Sequence, residues 1–141
     1  MSELAVVSTE QATVSLQGLD QVEGVSAQSV GAVGLCAHLV AIPPGGRARA
    51  HRHAGHETAI YVLEGRTVVW HGERLESVAE VNAGDFVYIP PGLPHVPVNV
   101  SGTEWARALV ARTDPNEQES VELLPHLDDL PHLRADRTEP R

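Results

Sequence analysis

Between positions 35 and 89 apolar residues come in short runs rich in Val and Ile, each broken by Gly, Pro, Asn or Asp. Runs of that length bounded by turn residues read as short antiparallel strands rather than helices. The pattern predicts strands at 35–42, 58–63, 67–70, 77–81, 86–89, 96–100 and 105–111. Pro43-Pro44-Gly45-Gly46 and Pro90-Pro91-Gly92-Leu93 each fit a type II turn, because Pro presets the second position and Gly accepts positive φ at the third. No amphipathic helix is predicted before residue 113, so the chain reads as all-β, a sandwich or barrel. Tyr61, Trp70, Phe86, Tyr88 and Trp105 all fall within this region, which places the expected core there.

The two ends have a different texture. Residues 1–34 alternate weakly and read as an N-terminal arm with two short strands. Residues 35–112 form the barrel core, and 113–141 a C-terminal extension whose end, from about Arg134, reads as disordered. That extension repeats Leu-Pro-His-Leu at 124–127 and 130–133. Pro125 and Pro131 exclude one long helix, and the four leucines call for burial against the barrel or a partner subunit. A homodimer, with the tail or the arm added to a barrel edge of the neighbour, is the expectation.

Composition narrows the partners. The 141 residues suit one ordinary domain. A net charge of -9 repels phosphate backbones and anionic lipid, so no nucleic-acid partner is expected. Cys36 is the one cysteine and reads as a small apolar core residue in a reducing compartment. No apolar run reaches the roughly 20 residues of a membrane span, and the first residues lack a secretory pattern. The expected location is the cytoplasm, with no membrane association.

Candidate chemistry then rests on the histidines. His126 and His132 lie in the repeated tail and His71 beside a turn, where surface roles are expected. His38 shares a strand face with Cys36 and Val40, so a satisfied core residue is the default and a pocket residue the alternative. His51 and His53, two apart on a strand, would point to one side about 7 Å apart. They follow the first Pro-Gly turn, and His95 follows the second. Neutral imidazoles held on rigid strand ends suit Zn, Fe, Ni and Cu, and leave open positions on the ion. Tyr61 and Trp105, with Thr58, are candidate pocket residues. There is no Gly-rich phosphate loop, no Gly-x-Ser-x-Gly elbow and no spacing that singles out a Ser-His-Asp triad.

These residues resemble the two sequence motifs of the cupin superfamily. Gly45, His51-Arg52-His53 and the closing Tyr61-Val62-Leu63-Glu64-Gly65 match the first motif; Gly84, Pro90-Pro91-Gly92, His95 and Asn99 match every position of the second. The resemblance implies a jelly-roll barrel with one divalent first-row metal ion (Fe, Mn, Ni, Cu or Zn) held inside by His51, His53 and His95.

The first motif departs at its acid. Counted back from Gly65, the family's glutamate falls at Thr58, whereas the acid stands at Glu57. Glu57 reaches the ion only through a bulge, which Gly55 would ease, or a later start to the strand, and it is the favoured fourth ligand. Strand alternation makes His56 the rival, and a bare three-histidine site, as in the thiol dioxygenase branch, is the third possibility. His56 or Glu57 would also supply the acid/base. Cupins span many chemistries, so the resemblance implies a metal-dependent enzyme acting on a small organic molecule, foremost an oxygenase or dioxygenase. The alternatives are a non-catalytic cupin that binds a small ligand, and a metal-assisted isomerase or lyase.

Overall fold

A computed structural model describes residues 3–8, 13–15, 17–116 and 120–133. Its strands are β1 (Thr13–Val14), β2 (Asp20–Val25), β3 (Cys36–Ile42), β4 (His51–His53), β5 (Thr58–Glu64), β6 (Arg66–His71), β7 (Ser77–Asn82), β8 (Phe86–Ile89), β9 (His95–Asn99), β10 (Ala106–Arg112) and β11 (Val121–Leu123). A single-turn helix, α1 (Ala27–Val30), follows β2. The strands pair antiparallel in two sheets, one in the order β1-β2-β3-β10-β5-β8 and the other β11-β4-β9-β6-β7. The two sheets face each other as a jelly roll, so the expectation of an all-β barrel holds.

The apolar runs became strands because alternate residues have somewhere to go. In β10, Ala106, Ala108 and Val110 point between the sheets, while Leu109 points out. Both Pro-Gly turns form as read: Gly45 takes φ 72 and Gly46 N–H donates to the Pro43 carbonyl at 2.9 Å. Gly92 takes φ 76, and its N–H donates to the carbonyl of His53 at 3.0 Å, tying the two histidine-bearing segments together. Asn99, fully buried, donates through Nδ2 to the carbonyls of Ile42 and Glu104 and accepts from Ser101 N–H, which locks the end of β9 to the end of β3.

Of the two surfaces expected for the tail leucines, the barrel is the one they meet. Leu124, Leu127 and Leu133 close over Ala50, Val68, Leu75, Val96 and Val98 in one buried cluster, on the outer face of the five-stranded sheet. The tail lies on its own barrel: β11 pairs with β4, Asp128 accepts from Ala50 N–H at 2.7 Å, and Arg47 Nη2 donates to the Asp128 carbonyl. The arm likewise pairs in cis, through β2 on β3. His132 is not a plain surface residue, since its Nε2 bonds the Leu75 carbonyl and its ring sits 4.7 Å from Trp70.

Of the aromatic residues Trp70 packs against the buried cluster beneath the tail, but the others do not make the core. Phe86 is 81% exposed and Tyr88 60%, and Trp105 is exposed too. They lie on the outward side of the six-stranded sheet because strand alternation gives the inward side to Val62, Val87, Ile89 and their neighbours. The expected disordered end lies outside the described residues.

Candidate metal centre

His51 and His53 occupy inward positions of β4, and His95 begins β9 directly opposite His51 in the antiparallel register. That pairing sets the two rings 4.3 Å apart, with His53 at 5.1 Å from His51 and 5.5 Å from His95. One ligand nitrogen from each of the three lies within 4.8 Å of the others. All three side chains are buried, at 2%, 3% and 4% exposure.

The backbone orients two of the rings. His51 Nδ1 lies 2.6 Å from the Arg49 carbonyl and His95 Nδ1 2.9 Å from the Leu93 carbonyl. A carbonyl only accepts, so each Nδ1 carries the proton and each Nε2 keeps its lone pair. His53 brings a buried Nδ1 with no partner among the described residues. Burial pushes His51 down to about 4, against the Arg49 bond and with help from the Arg112 charge. Burial also drives His53 far below its ordinary value, with Arg112 adding to it, and lowers His95 strongly, with His51 next. Rings kept neutral and close, with an unsatisfied nitrogen among them, form the donor set a divalent ion requires.

The candidates for a fourth ligand stay away. Gly55, at φ 74, turns the chain from β4 of one sheet into β5 of the other. Strand alternation therefore does not run through 53–58. Glu57 comes out exposed on the far side of β5, where its carboxylate accepts from Tyr88 Oη at 2.9 Å and its N–H donates to Thr113 Oγ1. His56 is half-buried with Nε2 4.0 Å from Asp114 Oδ2, and it does not line the cavity. The expectation that a bulge at Gly55 would bring Glu57 to the histidines is corrected: the turn carries it outward.

Thr58 takes the inward position instead, at 2% exposure. Its hydroxyl accepts from Arg112 Nε at 3.0 Å. Tyr61 and Trp105, expected in the pocket, are outside it: Tyr61 packs on Phe86 with centroids 4.8 Å apart, and Trp105 borders a separate groove with Asp20 and Leu39.

The cavity between the sheets has a volume of about 80 Å³. Its polar groups include the three histidines, His38, Gln17, Thr58, Thr67 and Arg112, with Arg107 at its edge paired to Glu64; the rest of its wall is largely aliphatic, and no Asp or Glu lines it among the described residues. His38 is thus a pocket residue, with Nδ1 unpartnered and its pKa lowered to about 4, first by burial and then by Arg112. Arg112 went unread in the sequence, yet a signal was there. It follows Ala106, Ala108 and Val110 at the inward parity of β10, so a cation stood where an apolar residue belonged.

Residues 38–111 match the family model of the cupin domain. An uncharacterized protein of Methanocaldococcus jannaschii, MJ1618, is 33% identical over 84 residues, 59% of this chain and 63% of that protein, so the chain matches less than two thirds of the relative's length. Among solved structures, the polyketide cyclase RemF from Streptomyces resistomycificus superposes with a TM-score of 0.68 at 24% identity, covering 88% of this chain and 85% of that one. An oxalate decarboxylase from Bacillus subtilis gives 0.67 at 24% identity, over 81% of this chain and 30% of its own. At such identities these likenesses speak for the fold alone.

Proposed function

The chain belongs to the cupin family, and from that premise we propose that it is a metal-dependent enzyme acting on a small organic molecule, with oxygenase chemistry. The observation that carries this reading is the group of three buried, neutral histidines facing a largely aliphatic cavity with, among the described residues, no carboxylate in its wall. His51, His53 and His95 would hold the ion, which supplies Lewis acidity and, for a redox-active metal, electron transfer between substrate and dioxygen at its remaining positions. An all-imidazole set favours Fe(II), Ni, Cu or Zn over Mn(II), because harder ions prefer oxygen ligands.

The protein's own part is then positioning and exclusion. The Arg49 and Leu93 carbonyls fix ring orientation, the aliphatic wall keeps bulk water from the reacting groups, and Thr58 and Arg112 stand ready to orient a substrate. With no acid in the wall among the described residues, His38 is the group there that could accept or deliver a proton.

The test is metal analysis of protein purified without added metal, followed by oxygen-electrode assays over enols, thiols, catechols and small acids. Metal binding with substrate-dependent oxygen uptake supports the reading. Turnover without oxygen consumption would move it to an isomerase or lyase, and a ligand bound unchanged would make it a binding protein.

Two further parts of the reading are a cytoplasmic location, argued from the lone buried Cys36, and a homodimer. No described helix is long and apolar enough to cross a membrane. With arm and tail both used in cis, the homodimer would form through the exposed apolar face of the six-stranded sheet, where a second copy covers Phe86, Tyr88 and Leu109.

A further inference from the structure

The cavity wall holds a buried cation and, among the described residues, no carboxylate. Arg112 is 4% exposed and lines the cavity, its Nε is taken by Thr58, and its Nη1 has no partner among the described residues. The described ion pairs, to 4.0 Å, do not include it. The Cys36 side chain is hydrogen-bonded to it, and Asp114 acts on it from outside the cavity wall, with Oδ1 accepting from Asn116 N–H and Oδ2 toward His56. A guanidinium costs several kcal/mol to bury, and among the described residues no carboxylate within the cavity wall itself offsets it. A divalent ion on three neutral histidines would add two more positive charges to the same low-dielectric space.

We propose that Arg112 is the carboxylate-recognising residue of this cavity and that the substrate is a small organic acid. This rests on the metal-enzyme reading of the same site. An Arg presents its donors in a planar fork that matches a carboxylate, and the unpaired Nη1 is the free arm of that fork. Thr58 adds a second contact: its hydroxyl oxygen accepts from Nε, so its own proton remains to be donated. By strand register Arg112, Cys36 and Thr58 share one row across β3, β10 and β5, and His38 and Val110 form the next. An acid bound at the first row extends its remaining atoms toward the facing sheet and its histidines. The volume of about 80 Å³ limits its size, being far below the roughly 300–1,000 Å³ of pockets for drug-sized ligands.

The test separates charge recognition from the metal. Metal-free protein at pH 8 is titrated by calorimetry, in chloride-free buffer, with acetate, glycolate and pyruvate, and with acetamide, glycolamide and pyruvamide as neutral counterparts of matching size. The acids are expected to bind about ten- to a hundredfold tighter than their amides. Arg112→Met should erase that preference, Arg112→Lys should keep part of it, and His51→Ala should leave it in place. The comparison within wild-type protein, and the Lys variant, keep the test decisive if the Met variant fails to fold. Acid and amide binding alike, no acid binding, or a preference that survives in Arg112→Met overturns the proposal. If acids are preferred but no metal binds, the enzyme reading falls and the anion site stands; if metal binds and the preference is absent, this inference alone falls.

Discussion

Arg112 and Thr58 face each other across β10 and β5, with Arg112 Nε donating to Thr58 Oγ1 at 3.0 Å inside the barrel. Where the cupin pattern would set an acid, this chain carries a hydroxyl engaged by a buried cation. Removing that hydroxyl leaves a charged donor unpaired, so Thr58→Val should cost about 1–3 kcal/mol of stability. In an Arg112→Met background the same change should cost less than half as much, a coupling that urea denaturation of the four proteins would measure. Equal costs in both backgrounds would mean that the bond carries no stability.

Metal content should depend on three residues and ignore two. His51→Ala, His53→Ala and His95→Ala each remove one of the converging nitrogens and should lower metal affinity by about tenfold or more, with the far-ultraviolet spectrum unchanged. Glu57→Ala and His56→Ala should leave it within about twofold, since both side chains lie outside the cavity. Elemental analysis after dialysis against Fe(II), Ni(II), Zn(II) and Mn(II) decides, and a large loss in Glu57→Ala would restore it as a ligand.

The contrast between residues 53 and 57 shows what was legible in advance. The strands, the two Pro-Gly turns and the three converging histidines follow from local chemistry: alternation, the fixed φ of Pro and the positive φ open to Gly. The side of β5 on which Glu57 emerges depends on a chain crossing from one sheet to the other at Gly55, which alternation cannot carry across. The tail is similar. Its leucines announced a need for burial, but which apolar face they would meet was decided by Val68, Val96 and Val98 pointing outward on strands distant in sequence. For the aromatics, residue type was a poorer guide than parity. Phe86 and Tyr88 sit at outward positions of β8, and their bulk does not change that.

The tail is a structural part of the barrel. Leu133 is 1% exposed and Leu127 6%, both against the outer face of the five-stranded sheet. Leu133→Ala should cost about 2–5 kcal/mol. A chain ending at Arg112 would uncover Ala50, Val68, Val96 and Val98 together and should aggregate. Unchanged melting temperature and mass for the truncated chain would contradict this packing.

Self-association should map to the other face. In register across the six-stranded sheet run Phe86, Tyr61, Leu109, Leu39 and Val22, an apolar row that neither the tail nor the described arm strands cover. Phe86→Asp with Leu109→Asp should convert a dimer to a monomer of unchanged fold in analytical ultracentrifugation. A wild-type monomer, or a dimer indifferent to both changes, would rule this face out.

Stability should fall in acid over a window set by the cavity histidines. Burial, reinforced by Arg112, pushes His38 from 6.5 down to about 4, and burial brings His51 to about the same value. His53 and His95 are lowered in the same sense. In the unfolded chain these rings take up protons near pH 6.5, whereas in the folded protein His38 and His51 stay neutral until about pH 4. Between those values the unfolded state binds more protons, so unfolding free energy rises with pH. The histidine contribution is therefore complete above about pH 7 and is lost progressively as pH drops through 6.5 toward 4. Metal-free protein should melt more than about 5 °C lower at pH 5 than at pH 7.5. His38→Met should flatten that dependence, because it removes one of the groups that titrate in the window. A bound metal holds the rings in their neutral form, so loaded protein should show a shallower slope until protons displace the ion. Melting temperatures identical at the two pH values in the metal-free protein would show that these histidines are not buried as neutral rings.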